Sequence, residues 1–110
     1  QFASDDMAQI AIDTSSGGWV PGRIDGVEIL PLHRHGDENV FLLRWLPDTV
    51  YPAHSHAGGE EIFVLEGAFL DEDGRYPQGS WVRYPDGSRH EPYTLAEGAL
   101  LYVKEGHLAG

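Results

Sequence analysis

Hydrophobic and polar positions alternate in short runs along this 110-residue chain, and Gly, Pro, Asp or Asn interrupt the runs. Period-two alternation over four to eight residues marks a strand with one buried face, and turn residues between such runs mark hairpins. The pattern predicts strands at 27–32, 39–46, 60–70, 81–84 and 99–104, with a short extended piece at 19–22. Residues 9–12 are a further candidate strand, either within the chain or paired with a neighbouring subunit. Turns are expected at 13–18, 33–38, 47–48, 71–74, 85–88 and 95–98, and a bend or bulge at Gly67. No amphipathic helix and no internal repeat is visible. Regular short strands separated by turns favour a sandwich or a barrel, and closure of a barrel removes exposed strand edges. The expectation is an all-β single domain, with 1–18 as a lead-in and the core at about 19–104.

Composition narrows the function. Seven Pro and fourteen Gly fit a turn-rich β protein. The formal charge is -11, from seven Lys and Arg against eighteen Asp and Glu. That sign disfavours nucleic-acid phosphates and anionic membranes, so neither partner is expected. No apolar run approaches the length of a membrane span. There are no cysteines, which removes disulfides, thiolate ligands and a Cys nucleophile. The first six residues show neither a basic region nor an apolar run, so no signal peptide is visible and a cytoplasmic location is the default.

The chemistry concentrates in residues 54–90. His54-Ser55-His56 is followed after three residues by Glu60, and His90 closes the stretch. In a strand, residues i and i+2 share a face, so His54 and His56 would present two imidazoles to one side. Ala57-Gly58-Gly59 is a small, bendable turn. Glu60 then opens a strand whose register places Ile62 and Val64 inward and Glu61 outward. Glu61 is the rival carboxylate. Three imidazoles and one carboxylate suit one divalent metal ion, whether Zn, Fe(II), Mn, Ni or Cu. His33-x-His35 imitates the pair, but it sits at a predicted turn beside Gly36 and Asp37 and reads as exposed. Asp71-Glu72-Asp73-Gly74 reads as a solvated turn, since it lacks the length and terminal Glu of a calcium loop. His107 reads as an exposed tail residue.

Two spacings carry a resemblance. His54-x-His56-x3-Glu60-x6-Gly67 resembles the first cupin motif, and Gly79-x5-Pro85-x-Gly87-x2-His90 resembles the second. The Asn usual four residues after that His is Thr94 here. The wording from HSHAGGEEIFVLEG to LLYVKEG is similar to the ChrR-like cupins, named for the C-terminal domain of ChrR-type anti-sigma factors. The resemblance covers roughly residues 19–104. It implies a small cupin jelly-roll β-barrel with a metal inside, held by His54, His56, Glu60 and His90.

Cupins with this shell include non-haem metal dioxygenases that cleave diketones or flavonols, and isomerases and decarboxylases. On that reading Glu60 can leave the metal and act as a base. Trp45, Phe63, Trp81, Tyr84 and Tyr93 are the candidate pocket residues for a small-molecule substrate, with core packing as the alternative role of each. A sensory or purely structural metal module is the other expectation. Sigma-factor binding is not expected, because this sequence shows no Cys-containing helical anti-sigma domain ahead of the barrel. A homodimer is expected from the resemblance and from the general frequency of twofold assemblies.

Overall fold

Nine strands organise residues 7–108, the part of the chain that the structure, a computed structural model, describes. They are β1 (Val20–Pro21), β2 (Val27–His35), β3 (Glu38–Trp45), β4 (His54–Ser55), β5 (Glu60–Asp71), β6 (Gly74–Pro77), β7 (Trp81–Tyr84), β8 (Arg89–His90) and β9 (Ala99–Glu105). No α-helix occurs among the described residues. Every pairing is antiparallel. The large sheet runs β1-β2-β3-β9-β5-β6, with β7 also on β5, and β4 and β8 form a separate two-stranded ladder. The result is a small cupin-type jelly roll.

Alternation decides which residues fill it. Along β5, Glu60, Ile62 and Val64 are buried while Phe63 is exposed. Leu101 and Val103 of β9 are fully buried in the same phase. Each such Val or Leu contributes on the order of 2 kcal/mol by leaving water. Trp45 and Phe69 meet edge to face, with ring centroids 5.8 Å apart. A bulge between Val64 and Glu66 then shifts β5 against β9, and beyond it Ala68 to Asp71 are all buried. The irregularity falls two residues before Gly67.

Several expected turns tighten. The 33–38 turn shrinks to Gly36-Asp37, since β2 continues to His35, which pairs with Glu38. Gly36 has φ +58 and Asp37 does not enter that region, the pattern of a type II′ hairpin turn. His33 and His35 therefore belong to a strand rather than a turn. The 71–74 turn likewise reduces to Glu72-Asp73, because Asp71 and Gly74 are paired. Residues 9–12 form no strand, and Ile10 and Ile12 are exposed. Alternation alone does not make a strand without a neighbouring edge to receive its hydrogen bonds.

Candidate metal centre

The β4–β8 ladder opens the site. His54 and His90 pair directly across it, and Ser55 pairs with Arg89. His56 follows β4 and begins a turn closed by a 3.1 Å bond from Gly59 N to His56 O. Gly58 sits in that turn at φ +81, and a Cβ there would lie 2.6 Å from Gly106 Cα. Only glycine meets both conditions. The Asp86 side chain accepts the Gly58 N–H at 2.6 Å, and thereby ties the His54–Glu60 segment to the turn before His90. Gly106 N and Leu108 N donate to Gly59 O and Gly58 O from the other side.

The imidazole nitrogens of His54, His56 and His90 come within 4.8 Å of one another. His54 Nδ1 lies 2.9 Å from Pro52 O. A carbonyl only accepts, so this contact puts the proton on Nδ1 and leaves the Nε2 lone pair free. Burial pushes the His54 imidazole below its ordinary pKa, against the bond to Pro52. The neutral ring is the ligating form. Glu60 stands between the other two histidines: Oε2 is 3.6 Å from His56 Nε2 and Oε1 is 3.4 Å from His90 Nε2. Ligands about 2.1 Å from a shared ion stand roughly 3 Å or slightly more apart, so these spacings fit a metal. The donor set, the free Nε2 of His54 and the buried carboxylate all suit a divalent ion.

Behind His90, the Tyr84 ring stacks at 3.8 Å and 15°. The Tyr84 hydroxyl donates to the Asp71 carboxylate. Asp71 is buried and also accepts from Tyr76 OH at 3.0 Å and from the backbone N–H of Asp73 at 2.8 Å and of Gly74 at 3.2 Å. This residue, read from sequence as part of a solvated turn, is a buried acceptor for four donors. Burial, with the bond to Asp71 behind it, pushes both Tyr84 and Tyr76 upward, Tyr76 to about 12.

In front of the histidines lies a cavity of about 70 Å³. Its walls are largely apolar and include Val27, Ile29, Phe41, Leu43, Ile62 and Leu101, with Arg23, Asn39 and Glu105 as polar additions. Of the five aromatics singled out from sequence, Trp45 lines this cavity. Tyr84 lies behind His90, and Tyr93 bridges Leu70 and Val50 away from it. Phe63 and Trp81 pair across β5 and β7 on the outer surface, 40% and 57% exposed. They leave the pocket because the parity that turns Glu61 outward also turns Phe63 outward. Glu61 is held outside by Arg83 at 2.5 Å and by His107 Nε2 at 2.5 Å. His107 is thus largely buried rather than an exposed tail residue. His33 and His35 join neither group of His and Glu side chains close enough to hold a metal among the described residues.

Sequence reasoning missed Glu105, Tyr51 and Arg23. Glu105 was legible, in phase with Leu101 and Val103 one residue past the expected strand end. Tyr51, whose ring is 4.5 Å from that of His54, carries no local pattern that would have marked it. Thr94 stands where the second motif usually has Asn. It is buried, and its hydroxyl donates to Leu46 O at 2.7 Å and accepts from Thr49 N at 3.2 Å, so it fastens a loop.

Residues 7–109 match the family of the ChrR Cupin-like domain. The chain belongs to the ChrR cupin-like family. The fold of this cupin recurs in the anti-sigma ChrR of Rhodobacter sphaeroides, solved in complex with SigE, at 24% identity and TM-score 0.72. The match covers 84% of this chain and 50% of that one, so this chain spans about half the length of that protein. A cupin-like protein of unknown function from Ralstonia eutropha shares 18% identity at TM-score 0.80, over 89% of this chain and 72% of that one. An acetylacetone dioxygenase from Acinetobacter johnsonii shares 17% at TM-score 0.78, over 89% and 74%. No curated protein matches the chain.

Proposed function

We propose that this cupin holds one divalent metal ion through His54, His56, Glu60 and His90 and acts as a metal-dependent oxygenase on a small diketone or enol. The observation that supports this most is the grouping of three imidazoles within 4.8 Å of one another on the lining of an apolar cavity, with the buried Glu60 carboxylate 3.6 and 3.4 Å from two of them. A bound ion there supplies Lewis-acid chemistry toward an enol or carbonyl oxygen. The chain's own residues do the rest. The apolar walls exclude water and seat the carbon skeleton. Glu60 has one oxygen toward each of two histidines, and on leaving the ion it would take a proton from an acidic C–H or enol O–H in the cavity.

Size and polarity favour the small end of the substrate range. At about 70 Å³ the cavity is far below the roughly 300 Å³ and more of sites for drug-sized ligands. An acyclic dicarbonyl fits that scale better than a flavonol. The Trp45 indole N–H is buried in the wall with no acceptor among the described residues. The acetylacetone dioxygenase among the structural relatives has a reaction of this class. A cytoplasmic homodimer completes the reading.

A metal-sensing role is the second reading, favoured by the likeness to ChrR. Metal content of untagged protein, purified without a nickel column or chelator, separates the two. About one equivalent of Fe, Mn, Ni or Cu with oxygen uptake on acetylacetone supports the oxygenase. About one equivalent of tightly held Zn without oxygen uptake moves the weight to sensing. No metal under any loading condition refutes both.

A further inference from the structure

Glu105 ends β9 directly opposite Glu60 of β5. Side chains opposite one another in a ladder share a face, so Glu105 joins Glu60 on the inner side. Its Oε1 lies 3.5 Å from Nδ1 of His56, and its Oε2 lies 3.9 Å from the Arg23 guanidinium. The Glu105 and His56 side chains are only 14% and 13% exposed. His56 therefore stands between two carboxylates, with Glu60 at Nε2 and Glu105 at Nδ1.

We propose that Glu105 is a positioning residue, which accepts the Nδ1–H of His56 and so keeps its Nε2 lone pair turned to the metal centre, with Arg23 holding the carboxylate in place. The proposal rests on the ligand reading above. A neutral imidazole has one proton, and whichever nitrogen bears it is lost as a ligand. A carboxylate accepts only, so once an ion rather than a proton occupies the Glu60 side of the ring, Glu105 holds the Nδ1–H tautomer, as Pro52 O does for His54. A charged acceptor also raises the basicity of the ring it holds. His90 Nδ1, by contrast, has no partner among the described residues, and that ring is placed by stacking on Tyr84. The rival role for Glu105 is direct ligation, since its carboxylate also groups with His56 and Glu60 within 4.8 Å. That role would require His56 to bind through Nδ1 or Glu105 to swing past it.

The test uses the full chain with ¹⁵N-labelled histidine, without metal and loaded with zinc, as wild type, E105Q, E105A and H56A. Long-range ¹H–¹⁵N spectra report which nitrogen bears the proton and which binds zinc. Competition with a chelator reports affinity. In the zinc-loaded wild type, His56 is expected to be protonated on Nδ1 and to bind zinc through Nε2. E105Q, whose amide oxygen still accepts, keeps both properties and stays within about threefold in affinity, whereas E105A loses the tautomer preference and falls about 10- to 100-fold. Unchanged tautomer and affinity in E105A overturn the role of Glu105 and leave the ligands standing. Unchanged affinity in H56A overturns the ligand reading beneath it. Zinc on His56 Nδ1, or an E105Q loss as large as that of E105A, makes Glu105 a ligand and overturns positioning. Should E105A not fold, the zinc-loaded wild-type spectrum decides alone, because zinc on His56 Nδ1, or no proton on that nitrogen, refutes the proposal.

Discussion

His54 and His90 face one another across the β4–β8 ladder, their ring centroids 4.6 Å apart. The ladder pairs with no other strand and contains two residues on each side. An isolated pairing of that length is marginal in water. Under the proposed ligation, an ion that bridges both strands would hold the ladder shut. Removing the metal should therefore lower stability, by about 4 kcal/mol relative to protein with free metal at a thousand times Kd. A melting temperature about 10 °C or more higher with metal is the expected reading. Equal melting temperatures with and without zinc would refute a metal at this site.

His90 and His33 separate cleanly by position. His90→Ala removes a buried ring at the centre and should abolish stable metal retention. His33→Ala, in β2 and outside the cluster, should retain about one equivalent. Metal analysis after gel filtration checks both, and equal retention would count against the assignment.

The two adjacent carboxylates face opposite ways. Glu60→Gln should weaken metal binding by tenfold or more, by analogy with the loss of other close partners of a metal site. Glu61→Gln should leave it intact while costing about 1 kcal/mol of stability, because it weakens a surface network with Arg83 and His107. Chelator competition and urea unfolding read the two effects separately. The reverse pattern would move the ligand by one residue and invert the register of β5.

Asp71 is the acceptor on which Tyr84 and Tyr76 converge. Asp71→Ala should destabilise by about 3 kcal/mol, since it strands one buried and one part-buried hydroxyl and two backbone donors. Asp71→Asn keeps an acceptor oxygen and should cost less than half as much. Urea midpoints of the pair test this; equal midpoints would mean that the carboxylate does not organise the packing behind His90.

Alkaline titration gives a further check. The folded value of Tyr76 is raised to about 12 from an ordinary value near 10, mainly by burial and then by its bond to Asp71. The contribution is complete below pH 10 and is lost as the pH rises from 10 toward 12. Tyrosinate absorbance near 295 nm should show a late component that Tyr76→Phe removes. Titration of Tyr76 together with the exposed Tyr102 would contradict the part-buried hydrogen bond to Asp71.

The fold was largely legible in the alternation, and β7 falls on the residues expected of it, 81–84. Of the four spaced residues, His54, His56 and His90 lie together, and Glu60 stands beside His56 and His90, because the motif encodes a local turn and one strand crossing. What escaped was whatever depends on neighbours brought from far along the chain. Glu105 is placed by its partner Glu60, and His107 is drawn in by the bonds from Gly106 and Leu108 to the Gly59 and Gly58 carbonyls. Residues 9–12 illustrate the converse: they have the right pattern and pair with no strand of this chain.

The position of β9 bears on how the molecule comes together. This strand, drawn from late in the sequence, lies between β3 and β5 at the middle of the sheet. Until it is in place, β3 and β5 each expose an open edge, and the two halves of the sheet have no link through it. Pairings this distant in sequence pay loop closure before any contact rewards it, which makes for slow acquisition of structure. The same strand ends in Glu105, so the insertion that joins the halves also delivers a carboxylate to His56. Assembly of the sheet and completion of the centre are then a single event, and a chain arrested before β9 would have neither.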